Sequence, residues 1–164
     1  MADRRPRHLV VCGLGPYLVR NMTETVAVAA DHGGYDLKRA LLPELSALGF
    51  TVLDLGTFGP DSVDYPNFAN ALAETIANGN AQRGLLVCGT GIGMTIAANR
   101  HRAVRCALVH DTTTAQLARQ HNDANVLALG GRILGLEVAK DCLKIFFTTE
   151  FEGGRHARRV ALMS

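Results

Sequence analysis

The stretch LLVCGTGIGM (85–94) ends an apolar run on a cysteine and follows it with three glycines at alternate positions. A thiol ionises near pH 8.5 in free solution, and neighbouring cations or a helix N-terminus favour its thiolate, which can act as base or nucleophile. Gly89, Gly91 and Gly93 permit close backbone approach, so the turn can aim N–H groups at an anion or a developing oxyanion. From these residues alone Cys88 reads equally as a small buried hydrophobe, and the glycines as a tight turn that binds nothing. GTGIGM lacks the Gly-Lys-Ser/Thr of a nucleotide-triphosphate loop and does not match G-x-G-x-x-G.

Three further groups carry chemistry. Asp31-His32 precedes two glycines, where Asp31 either caps a helix or meets a ligand. QHND (120–123) puts His121 at a helix end, as a capping cation or as an acid/base imidazole on the ligand rim, with Asn122 beside it. Arg155 and Arg159 are four apart and share a face if helical; paired guanidiniums suit phosphate, although an isolated basic cluster is usually a solvated end.

Elements must place these groups. β-rich runs over 26–31, 50–56, 84–89, 103–109 and 125–131 alternate with helical periodicities. Leu37, Leu41, Leu45 and Leu48 mark the first helix, within which Pro43 predicts a kink or a broken turn. Phe68, Leu72 and Ile76 mark the second, opened by Asp64-Tyr65-Pro66. Further helices run through Asn99, over 112–121 and over 136–147, before a polar tail. Five β-α units without a hairpin signal predict an α/β fold with a parallel sheet covered on both faces. Ligands in such sheets bind beyond the carboxyl ends of the strands, where Asp31, His32, Cys88, His110 and Asp111 fall.

Composition narrows the functional classes. The chain has 164 residues, 48% apolar and 20% charged, enough for one domain with a real core. No apolar run reaches membrane-spanning length. The net charge of +2 lies in the first 21 residues, where Arg4, Arg5, Arg7 and Arg20 stand against Asp3; the remainder is close to neutral. No basic stripe interleaved with aromatics appears, so neither nucleic acid nor membrane is an expected partner. Cys12, Cys88, Cys106 and Cys142 form no C-x-x-C pair. That spacing disfavours structural zinc, a disulfide scaffold and thiol redox chemistry, and it fits a reducing cytoplasm. Residues 1–21 read as a flexible extension ahead of a single domain over 22–164.

Together DHGG (31–34), DYP (64–66), CGTGIG (88–93), RQHND-ANVLALGGR (119–132) and EGGRHARR (152–159) closely resemble type B ribose-5-phosphate isomerases in order and spacing. The resemblance covers roughly residues 24–162. It implies a three-layer Rossmann-like fold with a five-stranded parallel sheet, and interconversion of ribose 5-phosphate and ribulose 5-phosphate without metal or organic cofactor. By it, Cys88 is the proton acceptor between C2 and C1, and His121 is the proton donor that opens the furanose ring. Some members carry a glutamate just after the glycine turn; Met94 stands there in this chain, which favours the cysteine base. Asp31, His32, Tyr65, Gly89, Gly91, Ile92, Gly93, Asn122 and Arg132 match sugar- or phosphate-contacting positions, and Arg155 with Arg159 the phosphate clamp. The turn amides and the Thr90 hydroxyl would meet the enediolate oxygen, each donor being worth about 3 kcal/mol. The resemblance also implies a homodimer, or a tetramer, with sites completed across the interface. Two rival readings are a hexose-6-phosphate isomerase (galactose or allose 6-phosphate) of the same superfamily and a non-catalytic sugar-phosphate binding module.

Overall fold

A computed structural model describes residues 23–163; the expectation for residues 1–21, and Cys12 with it, lies outside these. The strands are β1 (Thr25–Ala30), β2 (Thr51–Asp54), β3 (Arg83–Cys88), β4 (Cys106–Leu108) and β5 (Val126–Gly130). They form one sheet in the order β2-β1-β3-β5-β4, and every neighbouring pair is parallel. The helices are α1 (Tyr35–Ala47), α2 (Tyr65–Ala77), α3 (Ile92–Ala98), α4 (Thr112–Asn122), α5 (Leu136–Thr148) and α6 (Arg155–Ala161). This is the three-layer α/β arrangement expected.

Burial explains the strand sequences. β3 and β5 lie inside the sheet with helices on both faces, so almost all their residues are buried and apolar rather than alternating. One core layer joins Leu37, Leu41 and Leu45 of α1 to Ala115 and Ala118 of α4 and to Leu143 and Phe146 of α5. The other joins Ala69, Leu72 and Ala73 of α2 to Met94 and Ala98 of α3. Each fully buried leucine contributes about 1.5–3 kcal/mol relative to exposure. Helices leaving β1 and β5 therefore cover one face, while the helix leaving β3 covers the other. Neighbouring strands whose connections diverge in this way leave a crevice beyond their carboxyl ends.

Two local expectations change. α1 runs through Pro43 without a break: Pro43 lies on its exposed side, while Leu41 and Leu45 hold the buried face on the sheet. The polar tail ends in a helix of its own, α6, entered through Gly153 and Gly154, both at positive φ.

Two ends of the sheet and a candidate active site

At the carboxyl end of β3, the Gly91 N–H donates to Cys88 Sγ at 3.1 Å. The sulfur thus accepts a backbone hydrogen bond from the glycine turn. Gly91 has φ +81, and a side chain there would also come within 3.1 Å of the Leu129 backbone. Glycine is required on both counts. Chain crossings clamp the crevice: Asp31 N–H donates to the Val87 carbonyl at 3.2 Å, Gly131 N–H to the Cys88 carbonyl at 2.8 Å, and Arg132 N–H to the Gly89 carbonyl at 3.0 Å.

Around this turn lie further candidate side chains. Asp31 is buried and accepts the Gly34 N–H at 3.0 Å. His32 Nδ1 accepts the Val63 N–H at 3.3 Å, which leaves its Nε2 side for a ligand. Thr90 is exposed and accepts the Ile92 N–H at 3.3 Å. The Tyr65 ring lies over Gly93, where an added Cβ would be 2.7 Å from it. Arg132 is exposed and runs over Gly33 and Gly89; Cβ atoms built on those glycines would touch its guanidinium at 3.4–3.6 Å. Among the described residues no carboxylate pairs with Arg132. Met94 is fully buried in the core, so a carboxylate function at that position is replaced by packing. Asp111, also on this rim, spends its carboxylate on the first turn of α4, accepting the Thr114 N–H at 2.8 Å. That N–H holds the Asp111 carboxyl below the usual carboxylate range.

His121 and Asn122 are not on this rim, and the expectation is corrected here. α4 leaves the carboxyl end of β4 and runs back along the sheet for 11 residues, about 16 Å. It delivers the chain to the amino end of β5, where Asn125 N–H donates to the Arg105 carbonyl at 3.1 Å. The sequence shows that His121 ends a helix; the direction of that helix puts it at the opposite edge from Cys88. Arg119 anchors this end, donating to the Ala124 carbonyl at 2.6 Å and to Asp123 at 3.0 Å.

α6 packs against the same end of α4, with Glu152 N–H donating to the Gln120 carbonyl at 3.1 Å. Thus Arg155 and Arg159 join His121 and Asn122 in a second cluster at this end of the sheet. Two members, Glu152 and His156, lie in the EGGRHARR motif but received no role from the sequence. The His121 and His156 rings stack with centroids 4.3 Å apart and planes 7° from parallel. Glu152 Oε2 lies 3.9 Å from His121 Nε2 and 3.7 Å from His156 Nε2. Arg155 Nε donates to His156 Nε2 at 3.4 Å. Burial, then the charges of His121 and Arg155, push the His156 imidazole below its ordinary range. The four-residue spacing of Glu152 and His156 was visible, but Gly153 and Gly154 between them give no helical face to read.

His121, Glu152 and His156 bring three ligand atoms within 4.8 Å of one another. A tetrahedral zinc with donors at about 2.0–2.1 Å requires them roughly 3.4 Å apart and convergent. Here the rings are parallel, and Arg155 occupies the His156 lone pair that a metal would use.

Comparison with known proteins agrees with the fold and the motifs. The ribose/galactose isomerase family model matches residues 26–163. Ribose-5-phosphate isomerase B of Escherichia coli is 42% identical over 135 residues, covering 82% of this chain and 91% of that protein. A D-erythrulose-4-phosphate isomerase of Pectobacterium atrosepticum is 44% identical over 138 residues, covering 83% of this chain and 90% of that protein. The structure of Clostridium thermocellum ribose-5-phosphate isomerase B superposes with a TM-score of 0.83 at 45% identity, covering 85% of this chain and 94% of that one. The type B enzyme of Trypanosoma brucei gives 0.84 at 40% identity, covering 87% and 97%. The chain belongs to the ribose/galactose isomerase family of sugar-phosphate isomerases.

Proposed function

We propose that this protein is a ribose-5-phosphate isomerase, an aldose–ketose isomerase working through an enediolate. The observation that carries the reading is a free thiol on a strand end, met by a glycine N–H and walled by glycines, in a member of this family. Cys88, as thiolate, removes the proton from C2 of the open-chain aldose and returns it to C1, while a proton passes between the two oxygens. The enediolate formed between these steps rests against the turn Gly89–Gly93 and Thr90, and general-base catalysis of this kind supplies about 10²–10⁴-fold. Asp31, His32, Tyr65 and Arg132 hold the sugar. His121 donates the proton that opens the furanose ring, Asn122 hydrogen-bonds the sugar, and Arg155 with Arg159 clamps the phosphate, whose binding energy orients the reacting carbons. As proposed, this chemistry draws on the protein's own side chains and turn amides. The reduced thiol suits a cytoplasmic setting, and no helix among the described residues is long and apolar enough to cross a membrane.

A second copy completes the site in this reading. β4 is a sheet edge, and the helices flanking it expose Ile92 (51%), Ile96 (59%) and Leu117 (38%). A two-fold axis across the strands inverts the partner sheet, which brings the second cluster of one chain level with the Cys88 rim of the other.

The test is a panel of phosphorylated tetroses, pentoses and hexoses assayed by kcat/KM, with Cys88→Ala as the inactive reference. Preference for ribose 5-phosphate is expected. A preference for the four-carbon sugar, the reading favoured by the D-erythrulose-4-phosphate isomerase relative, or for a hexose 6-phosphate, overturns the substrate. Ligand binding without any turnover overturns the enzyme in favour of a binding module. For the shared site, Cys88→Ala and His121→Asn are mixed after dissociation and reassociation. Restored activity is expected, because each hybrid dimer then holds one intact site.

A further inference from the structure

The far-edge cluster contains more than the proposed reaction assigns to it. His156 is 6% exposed, lies flat on His121, and receives a hydrogen bond from Arg155 on the ring nitrogen that also faces Glu152. A nitrogen that accepts from a guanidinium must carry a lone pair, so His156 is the neutral imidazole of the pair. Two stacked imidazoliums would moreover face each other across 4.3 Å with Arg155 and Arg159 nearby. The Glu152 carboxylate lies 3.7 Å from His156 Nε2 and 3.9 Å from His121 Nε2; with His156 Nε2 already engaged by Arg155, His121 is the ring left for it to pair with.

We infer that His156 and Glu152 are positioning residues for His121, with His156 fixing the plane of its ring as a neutral stacking partner. Glu152 takes one ring N–H of His121 and leaves the other nitrogen to deliver a proton to the ring oxygen of the sugar. Arg155 has a double duty: its Nε orients His156 while its terminal nitrogens remain for phosphate. This inference rests on the ring-opening role proposed for His121.

The two reaction directions separate the possibilities. Ribose 5-phosphate is cyclic and must be opened, whereas ribulose 5-phosphate cannot close a five-membered ring because its C5 oxygen is esterified. In His156→Ala, the ratio of kcat for ribose 5-phosphate to kcat for ribulose 5-phosphate should fall about tenfold or more, as misplacement of a catalytic group predicts. His156→Phe, which keeps a flat neutral ring, should restore most of that ratio, and Glu152→Gln should lower it. His121→Asn is the reference. If it leaves the ratio intact, the ring-opening reading fails. If it lowers the ratio while His156→Ala and Glu152→Gln do not, the positioning role alone is overturned. A Phe variant no better than Ala also overturns it. Where His156→Ala does not fold, as judged by circular dichroism, the Glu152→Gln and His156→Phe ratios decide.

Discussion

Gly34 sits where α1 crosses β3, and its replacement by alanine tests the clamp around the thiol. A Cβ at this position collides with the Val87 carbonyl and comes within 2.8 Å of Cys88 N. Both obstacles are strand backbone, which has no rotamer with which to give way. Restoring ordinary contact needs a separation of about 1 Å between the start of α1 and β3. That shift strains the Gly34-to-Asp31 bond of 3.0 Å and the Asp31-to-Val87 bond of 3.2 Å. Overpacking costs about 1–3 kcal/mol and each of the two weakened bonds about 0.5 kcal/mol, so Gly34→Ala should destabilise by roughly 2–4 kcal/mol. For a domain of this size the loss is about 5–15 °C in Tm. Because Asp31 and His32 move relative to Cys88, kcat should fall by about 10²-fold as well. Gly49→Ala is the control: Gly49 has φ +91 but open space around it. It should lose about 1 kcal/mol from backbone strain alone, with kcat unchanged. Thermal unfolding and steady-state kinetics on both variants decide. A Gly34→Ala protein with wild-type Tm, or with full kcat, refutes the steric argument.

Lys38 is buried and donates to Asp54 Oδ1 at 2.6 Å and to the Thr57 carbonyl at 2.9 Å; Lys38→Met should cost about 3–5 kcal/mol in a denaturant titration, because Asp54 keeps a charge without its partner. Asp111 has its carboxyl held low in the folded state, so its contribution is complete above the ordinary carboxylate range and is lost as pH falls through the folded value. Asp111→Ala should therefore lower Tm at pH 7 and make progressively less difference on acidification, as read by thermal scans across pH. Burial pushes the Cys106 thiol up to about 12, despite the Thr95 hydroxyl nearby. Cys106 should accordingly stay unlabelled by iodoacetamide at pH 8 in the folded protein and become labelled on denaturation, as mapped by peptide mass spectrometry.

The parallel sheet was legible because β-branched and leucine-rich runs such as GLLVCG leave no polar face, and because helix-length segments separate them. The rim half of the candidate site was legible too: Asp31 directly follows β1 and Cys88 closes β3, so local order is enough to place them together, while Arg132, two residues beyond β5, entered through the resemblance. His121 was not placeable by that logic, since a helix end may face either edge and only chain direction decides. Lys38 and Arg119 also escaped the reading. Charged residues inside helical periodicities look solvent-facing until Asp54, Thr57, Asp123 and Ala124 arrive from elsewhere in the chain to pair with them. The continuity of α1 through Pro43 depends on tertiary packing: Leu41 and Leu45 bury on the sheet and outweigh a missing hydrogen bond on the exposed side.

The placement of Cys88 and His121 at opposite edges of one sheet has a kinetic consequence for the proposed reaction. Under that proposal a lone chain would hold base and acid at opposite ends of the sheet and would turn over sugar only once paired with a second copy. At dilutions where chains are mostly apart, the rate should grow with the square of protein concentration, becoming linear once pairing is complete. Supply of this activity would then be thresholded by expression level rather than proportional to it.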